Sequence, residues 1–562
     1  MNGVIKTTSI LAIFLPLFTG ALNLTDVTHN SNDIFYANPI GGEIRFRAKK
    51  GTVTEAYLVS SNKTYKMENV YQNEQADYFQ VEIGRFDSTL SYSFIVKGVG
   101  DSLFIPQAGA FTSRAVAFET PDWAAGKTYY SIFTDNFFNG DLTNDPRDVI
   151  NWGRRPEKWL SYGGDLTGII LKLAYLDSLD YDILLLQPIF NATSNHKLNP
   201  KDYAQIDPAF GDTVILKVLI NEVHKRQKKI VLSVALTHSG TDFPAFLDVL
   251  KNGAKSKYFS WYALSNPSPK AAPGYYDCWL NDYRFPKFNY AEPSARSFFI
   301  GYLEFWQHFG IDGFYVGYDA KISHDFLREL RASMKSKHPA LLLIGSDSQG
   351  ITGDGLDGCA NAAFNKLLVD YFVRDTITLG EFDQGYRRLL FFNPGQANVL
   401  NLLDATTMFN RIAALAKDDV LRMIYAFVFT ACGSPVLTYG DEVGLADGAA
   451  FNPGSFVWTS ESQNRDLLLD IKKLIYIRKT NPQIASKYFY TLYTNDLNDV
   501  YAYDRGGIIT VLNLSETQAY LELPAWDGSY LDLFSGERFF ATSQKLRLSI
   551  NPKAFRILRR GV

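Results

Sequence analysis

Oxygen-bearing side chains are concentrated in one short loop and in a glycine-containing turn that follows it. The loop holds Asn139, Asp141, Asn144 and Asp145, and Gly163 and Asp165 follow in the turn. Carboxylate, amide and backbone carbonyl oxygens in such number are the ligands that a hard cation takes. The same residue types are also typical of a turn-rich loop whose side chains bond to their own backbone. The residues alone leave both interpretations open.

A second region that could carry chemistry is the apolar run Ile311 to Tyr318, which follows a glycine-containing turn and is predicted to form a buried strand. Asp319 lies two residues beyond Gly317, so the two positions share one face of that strand. Further along the chain, Asp347 directly follows Ser346. Carboxyl groups at the ends of neighbouring strands are candidates for acid–base chemistry.

Over residues 121–482 the sequence repeats one pattern, in which apolar runs typical of buried strands alternate with helical patterns. Strands that are apolar throughout and alternate with helices indicate a parallel sheet covered by helices, and this many units predict a (β/α)8 TIM barrel. The segment 239–292 shows no simple helix between two barrel strands, and we expect a small inserted subdomain there. The runs that predict barrel strands start at Ile183, Ile230, Ile311, Leu341, Val399 and Pro435.

Antiparallel β domains are predicted on both sides of the barrel. Residues 22–120 and 483–562 contain short runs in which apolar and polar residues alternate, with turn residues between them. Such runs predict strands with one buried and one solvated face. We therefore expect an N-terminal β-sandwich and a C-terminal antiparallel β domain.

Composition narrows the class of protein. The chain has 562 residues, a hydrophobic content of 46% and a formal net charge of −3. The hydrophobic content is ample for packed cores, and the slightly negative net charge argues against nucleic-acid binding. No stretch beyond the N-terminus approaches the roughly 20 apolar residues that a membrane span needs.

The first 21 residues have the layout of a secretory signal peptide. Lys6 precedes the apolar run Ile10 to Phe18, and small residues follow up to Ala21. The apolar core is too short for a span, which predicts a secreted or luminal glycoprotein. Asn-x-Ser/Thr triplets, which agree with that route only weakly, lie at Asn23, Asn62, Asn191 and Asn513.

Three cysteines do not make a disulfide framework. Cys432 lies within an apolar run and is expected to be a buried thiol. Cys278 and Cys359 could pair, and the sequence leaves that question open.

From about residue 120 to the end, ordered landmarks resemble the α-amylase superfamily of glycoside hydrolases, in particular its cyclomaltodextrinase and neopullulanase branch. That branch also carries an N-terminal β-sandwich. Seven landmarks in family order cover some four hundred residues and imply this fold strongly. They read IFTDNFFNGDLTND, YGGDLTGI, LQPIFNATSNHKLNPKDYAQIDPAFGD, RFPKFNY, GIDGF, GSPVLTYGDEVGL and LFSGERF.

Residue by residue, the positions that carry the family's chemistry depart from its pattern. Gly317 stands where the resemblance puts the nucleophilic aspartate, and Tyr315 stands where it puts an arginine. Ser346 stands for the general acid glutamate. The other departures are Leu198 for a stacking aromatic residue, Ser233 and Thr237 on the third barrel strand, and Thr406 and Thr407 for a His-Asp pair.

These departures predict the loss of hydrolysis by the family mechanism, which needs two carboxyl groups about 5–5.5 Å apart. A serine hydroxyl is too weak an acid, and threonine carries no charge that could stabilise a cationic transition state. The sequence therefore favours a secreted pseudo-glycosidase that binds a glycan or a protein partner at the barrel mouth. Two alternatives stay open: an α-glucan or cyclodextrin hydrolase that works through Asp319 or Asp347, and a purely protein-binding module.

Other site residues follow from the resemblance. It implies a structural calcium ion held by the Asn139 loop and the Gly163 turn, which favours the first interpretation of those oxygens. His196 and His238 match family positions and could bond to a sugar hydroxyl, although a lone histidine is more often satisfied by neighbouring backbone. The acidic pair Asp441 and Glu442 falls in a loop that the family uses structurally. In this branch the N-terminal sandwich often mediates dimers, so a homodimer is a further expectation.

Overall fold

The computed structural model describes residues 22–39, 41–61, 63–86, 89–113, 120–317, 322–346, 355–393, 399–402, 411–416, 418–449 and 452–561. The predicted signal peptide, Asn62, Asp319, Asp347, Thr406 and Thr407 lie outside these residues. The chain divides into two compact units, Met1–Ala117 and Phe118–Val562.

The first unit is the predicted antiparallel β domain. Its long strand Lys63–Gln72 pairs with one neighbour through its first half and with another through its second half, which joins the two halves of the sheet. Ile44, Phe46, Leu58 and Phe94 are buried between the halves. Its strands are β1 (Val27–Thr28), β2 (Ala37–Asn38), β3 (Glu43–Lys49), β4 (Glu55–Ser60), β5 (Lys63–Gln72), β6 (Ala76–Glu82), β7 (Ser91–Lys97), β8 (Ser102–Ile105) and β9 (Phe111–Thr112).

The second unit begins with the predicted barrel, whose strands close into a ring in the order β10-β11-β14-β15-β16-β17-β18-β19. Every neighbouring pair in that ring is parallel, and β12 and β13 form a separate antiparallel pair. The strands are β10 (Tyr129–Ile132), β11 (Ile183–Leu186), β12 (Phe190–Ala192), β13 (Pro200–Ile206), β14 (Lys229–Ala235), β15 (Gly313–Gly317), β16 (Leu342–Gly345), β17 (Gly358–Ala360), β18 (Val399–Leu402) and β19 (Ser434–Thr438).

The sequence pattern indicated six of the eight barrel strands and missed β10 and β17. The strand β17 has three residues, one of them glycine, which is too short for a periodic signal. Inside the ring, large apolar side chains fill the barrel, as expected for a packed core. They include Tyr129, Val231, Tyr315, Ile344 and Val436.

Amphipathic helices cover the barrel, as the alternation of strand and helical patterns predicted. One helix, α4, lies inside the predicted insertion 239–292 and was missed, although Pro244 at its start and Gly253 after its end are readable signals. The helices are α1 (Leu166–Leu171), α2 (Leu173–Asp177), α3 (Thr213–Lys225), α4 (Pro244–Asn252), α5 (Pro293–Gln307), α6 (His324–Lys337), α7 (Ala362–Leu368), α8 (Leu379–Phe392), α9 (Ile412–Leu415), α10 (Asp418–Thr430) and α11 (Arg465–Thr480).

The C-terminal domain is an eight-stranded antiparallel sheet in the order β20-β21-β22-β27-β24-β25-β26-β23. It is tied to the barrel by the buried Arg505, which donates to the carbonyl oxygens of Thr430 and Ile484, both at 2.7 Å. The fold class predicted from the sequence is therefore confirmed. The strands are β20 (Tyr490–Asn495), β21 (Val500–Asp504), β22 (Ile508–Asn513), β23 (Ala519–Pro524), β24 (Gly528–Asp532), β25 (Arg538–Thr542), β26 (Lys545–Ile550) and β27 (Ala554–Arg560).

The structure answers a question about the cysteines that the sequence left open. Cys278 and Cys359 do not pair, since both are free thiols, and Cys432 is a buried thiol as expected. The amide of Asn513 is buried and donates to the carbonyl oxygens of Thr517 and Ile550, so it is closed to a glycan. Asn191 is also buried and donates to Gln205. Asn23, the asparagine of a third described Asn-x-Ser/Thr triplet, is exposed.

No helix within the described part of the chain is long and apolar enough to cross a membrane.

Candidate active site and cation-binding loop

The strand β15 ends at Gly317 inside the barrel ring. A Cβ atom added to Gly317 would lie 3.3 Å from the ring of Tyr315 and 3.6 Å from Ser233 Oγ. Ser233 is on the neighbouring strand β14 and is fully buried. The side-chain direction at position 317 therefore faces packed neighbours, and neither Gly317 nor Ser346 at the end of β16 carries a carboxyl group.

His238 follows β14 and is fully buried. Its Nε2–H donates to the carbonyl oxygen of Leu198 at 2.7 Å, and its ring stacks on Trp279 with centroids 4.6 Å apart. Burial lowers the pKa of His238 to about 3, because the charged ring would lose its hydration without gaining a counter-ion. The imidazole is therefore neutral at pH 7.

His196 lies in the loop between β12 and β13 and is 1% exposed. Its Nδ1 accepts a hydrogen bond from the backbone N–H of Leu198 at 3.1 Å, and the ring of Trp159 lies 5.4 Å away. Burial, together with the positive charge of Lys197, lowers the pKa of His196 to about 3. This histidine is also neutral at pH 7.

Apolar side chains cover both histidines. Leu198, Ala235, Trp279 and Phe285 form a small buried cluster, of which Trp279 and Phe285 come from the segment between α4 and α5. Both imidazole rings are therefore enclosed in this arrangement, and neither reaches an open surface. Contact with a substrate stays a prediction that requires the covering residues to move.

The oxygen-rich loop brings several predicted ligands together. Asn139 Nδ2 donates to Asp145 Oδ1 at 2.7 Å, and Gly163 packs so closely that an added Cβ would lie 2.4 Å from the same oxygen. The amide oxygens of Asn139 and Asn144 are buried and accept no hydrogen bond from described residues. Buried polar atoms rarely lack a partner, so these two oxygens fit the first coordination shell of a hard cation.

The remaining two predicted ligands bond to backbone instead. Asp165 accepts hydrogen bonds from Gly140 and Asp141 through one oxygen and from Gly168 through the other, which caps the N-terminus of α1. Asp141 Oδ1 accepts from the backbone and the hydroxyl of Thr143. Among the described residues, no three His, Cys, Asp or Glu side chains converge on one metal position, so a cation in this loop would need amide and carbonyl oxygens beside the carboxylate of Asp145.

Two buried carboxyl groups at the same end of the barrel were not singled out as site residues. Asp135 accepts hydrogen bonds from the backbone of Tyr162 and Gly163, and burial raises its pKa to about 6. Glu442 accepts from the hydroxyls of Tyr130 and Tyr175 at 2.6 and 2.8 Å. These bonds join β10, α2 and the turn after β19, in agreement with the structural role expected for Glu442.

Comparisons with known proteins agree with this architecture. Residues 23–122 match the family model of the α-amylase N-terminal Ig-like domain, and residues 131–386 match that of the α-amylase catalytic domain. A cyclomaltodextrinase of known structure superposes with a TM-score of 0.85 at 27% identity, covering 95% of this chain and all of the other.

Curated relatives extend over nearly the whole chain. Neopullulanase 2 of Thermoactinomyces vulgaris is 29% identical, covering 94% of this chain and 98% of the relative. A cyclomaltodextrinase of Thermoanaerobacter pseudethanolicus is 30% identical, covering 90% of this chain and 95% of the relative. These relatives carry the names of enzymes, so the interpretation of this chain as a catalytically inactive pseudo-glycosidase was wrong. From the first β domain to the last, the chain belongs to the α-amylase family.

Proposed function

We propose that this chain hydrolyses α-1,4-glucosidic bonds in cyclodextrins and short α-glucans. The observation that carries the proposal is the near full-length similarity to a cyclomaltodextrinase, at 30% identity over 90% of the chain. The similarity extends across the barrel and both β domains rather than one shared module. Cyclodextrins come first among the substrates because the curated relative and the solved relative are both named cyclomaltodextrinase.

The chemistry requires two carboxyl groups. In retaining hydrolysis one carboxylate attacks the anomeric carbon and one carboxylic acid protonates the leaving oxygen. Gly317 and Ser346 offer neither group, so in this proposal the carboxyls come from Asp319 and Asp347. Each lies one or two residues beyond the family position in sequence.

The test is hydrolysis by the intact protein and by carboxyl-free variants. Wild type, Asp319→Ala, Asp347→Ala and the double variant are incubated with β-cyclodextrin, maltoheptaose and soluble starch, and reducing ends are counted. We expect each single substitution to lower the rate at least about 100-fold, the usual size of an acid–base contribution. Asp325→Ala, which removes an exposed carboxyl group on α6, is the matched control and should retain the wild-type rate.

Release of reducing ends by the wild-type protein no faster than in a protein-free blank would contradict the proposal. Circular dichroism of each variant establishes that a loss of rate is not a loss of fold. If hydrolysis persists in the double variant, the activity stands but the assignment of Asp319 and Asp347 is refuted.

We also propose that the loop of Asn139, Asn144 and Asp145 binds calcium together with the backbone carbonyl of Gly163. Support comes from the two buried amide oxygens that lack a donor and from the close packing of Gly163 against Asp145. Asp141 and Asp165 then hold the loop in shape through their bonds to backbone. Bound calcium would fix the loop that leads into α1 and would take no part in bond cleavage.

The route of the protein through the cell stays a prediction from the sequence. We propose that the segment up to Ala21 directs secretion and is removed, and that Asn23 is the described triplet able to carry a glycan. N-terminal sequencing of protein from the growth medium, with and without Asn23→Gln, tests both points. Sedimentation of the same material tests the expected homodimer.

A further inference from the structure

The C-terminal domain contains a cavity of about 340 Å³ that the proposed reaction does not use. It lies where the start of β20, the turn between β21 and β22, and the loop between β23 and β24 meet. Three of its lining residues are large aromatic side chains with much of their surface in solvent, namely Tyr488 at 48%, Tyr490 at 59% and Trp526 at 70% exposure. Three exposed aromatic rings grouped around one concavity indicate a binding surface, because contiguous apolar patches, unlike single exposed residues, often mark interaction sites.

Polar groups line the same cavity. Asp504, Gln544 and Arg560 provide a carboxylate, an amide and a guanidinium beside the aromatic rings. The cavity volume falls at the lower end of the range of about 300 to 1,000 Å³ that is typical of small-molecule sites. Apolar faces with a few hydrogen-bonding groups suit a ligand that is itself amphipathic.

The loop that carries Trp526 is held in place before any ligand arrives. The hydroxyl of Tyr530, a buried residue, donates to the backbone carbonyl of Trp526 at 3.0 Å. Arg560 Nη2 donates to the carbonyl of Asp527 at 2.7 Å, and Asp527 Oδ1 accepts from the backbone of Gln544 at 2.6 Å. A preorganised aromatic platform loses little entropy on binding, which favours affinity.

We propose that this cavity is an accessory glycan-binding site that holds a segment of an α-glucan chain. A pyranose ring presents an apolar C–H face that can lie on Trp526 or Tyr490, and hydroxyl groups at its edge that can bond to Asp504, Gln544 and Arg560. The carboxylate of Asp504 is half-buried, and the hydroxyl of Tyr488 reaches it at 3.5 Å. The identity of the glycan as an α-glucan rests on the function proposed above.

A protein partner would use a flatter and more extended surface, since stable protein interfaces bury on the order of 800 Å² on each side. The small concave site with interleaved polar groups favours a sugar segment over a protein. Docking of a second copy of the chain at this surface would instead appear as a change in sedimentation when Trp526 is replaced.

The experiment measures binding without hydrolysis. Asp319→Ala/Asp347→Ala protein is the background, so that the glucan stays intact, and Trp526→Ala or Tyr490→Ala is added. Native gel electrophoresis with and without soluble starch and calorimetry with maltoheptaose give the affinity. Tyr520→Ala is the matched control, since Tyr520 is 78% exposed in the same domain but outside the cavity.

We expect Trp526→Ala to weaken binding at this site at least tenfold, which corresponds to about 1.4 kcal/mol, while Tyr520→Ala binds like the background. Equal retardation of the Trp526→Ala and background proteins would overturn the proposal. So would a change in sedimentation on Trp526→Ala without any change in starch binding. If the wild-type protein does not hydrolyse glucans but binds starch through Trp526, only the enzymatic proposal is refuted. If it hydrolyses glucans and its starch binding does not depend on Trp526, only the accessory-site proposal is refuted.

Discussion

The imidazole of His238 stacks on the indole of Trp279 with ring centroids 4.6 Å apart and planes inclined by 10°. The two residues come from the end of β14 and from the segment between α4 and α5, so the contact fastens that segment over the barrel. Trp279 is 8% exposed, and we expect Trp279→Ala to lower the free energy of unfolding by about 3–5 kcal/mol. Denaturant titration measures this change.

The adjacent Leu280 provides the control for Trp279, because its side chain is 53% exposed. Leu280→Ala should lower the free energy of unfolding by less than about 1 kcal/mol. Equal effects of the two substitutions would show that the stacked pair does not fasten the segment.

The burial of His238 predicts a specific loss of stability in acid. Its pKa is lowered to about 3 in the folded chain, against the ordinary value of 6.5 for a solvated histidine. Between these two pH values the unfolded chain is protonated at this residue and the folded chain is not. The stabilising effect is complete above about pH 6.5 and is lost as the pH falls towards 3, at up to about 1.4 kcal/mol per pH unit. His238→Gln should reduce the slope of unfolding free energy against pH by that amount between about pH 6 and 4.

His308→Gln is the comparison for the pH experiment, since His308 lies at the exposed end of α5. Identical slopes for wild type and His238→Gln would refute the inference that His238 stays neutral in the folded protein.

The calcium proposal predicts a stabilisation that depends on Asp145. We expect calcium to raise the melting temperature of the wild-type protein and EDTA to lower it, because a ligand that binds only the folded state stabilises it by mass action. Asp145→Ala should abolish the difference between the two conditions.

Asp165→Ala tests the division of roles within the loop. Loss of its cap on α1 should lower stability by about 0.5–2 kcal/mol in calcium and in EDTA alike. A wild-type melting temperature that is identical with calcium and with EDTA would count against the site.

The buried ion pair between Arg331 and Asp357 joins α6 to the start of β17. Arg331 Nη1 lies 2.7 Å from Asp357 Oδ1, with both side chains at most 2% exposed. We expect Arg331→Met to cost about 1.5–3 kcal/mol of unfolding free energy, the usual size of a hydrogen bond to a charged group, because Lys335 Nζ still pairs with the other Asp357 oxygen at 2.9 Å. Thermal and denaturant unfolding measure the change.

The exposed pair of Arg328 and Asp325 on the same helix is the control for that ion pair. Arg328→Met should leave the unfolding free energy nearly unchanged, since solvent screens surface charges. A comparable cost for the two arginine substitutions would contradict the role of burial.

The amino-acid sequence by itself determined the class of fold and the order of its elements. Runs such as Ile230 onward are apolar at nearly every position, and the helix near Thr213–Lys225 places Leu219 and Val223 on one face. These are local patterns, set by backbone geometry over a few neighbours. Because such signals depend only on nearby residues, six barrel strands could be located from the sequence, whereas the short strands β10 and β17 were missed.

Tertiary structure decided which of the candidate side chains are accessible and what they contact. His238 is covered by Leu198 and Trp279, which lie far from it in the chain on either side. Contacts between distant parts of the chain also determine the burial of Asn513, the thiol state of Cys278 and Cys359, and the cavity beside Trp526. Burial and hydrogen bonding at these places depend on contacts between distant segments, for which no local pattern in the sequence gives a signal.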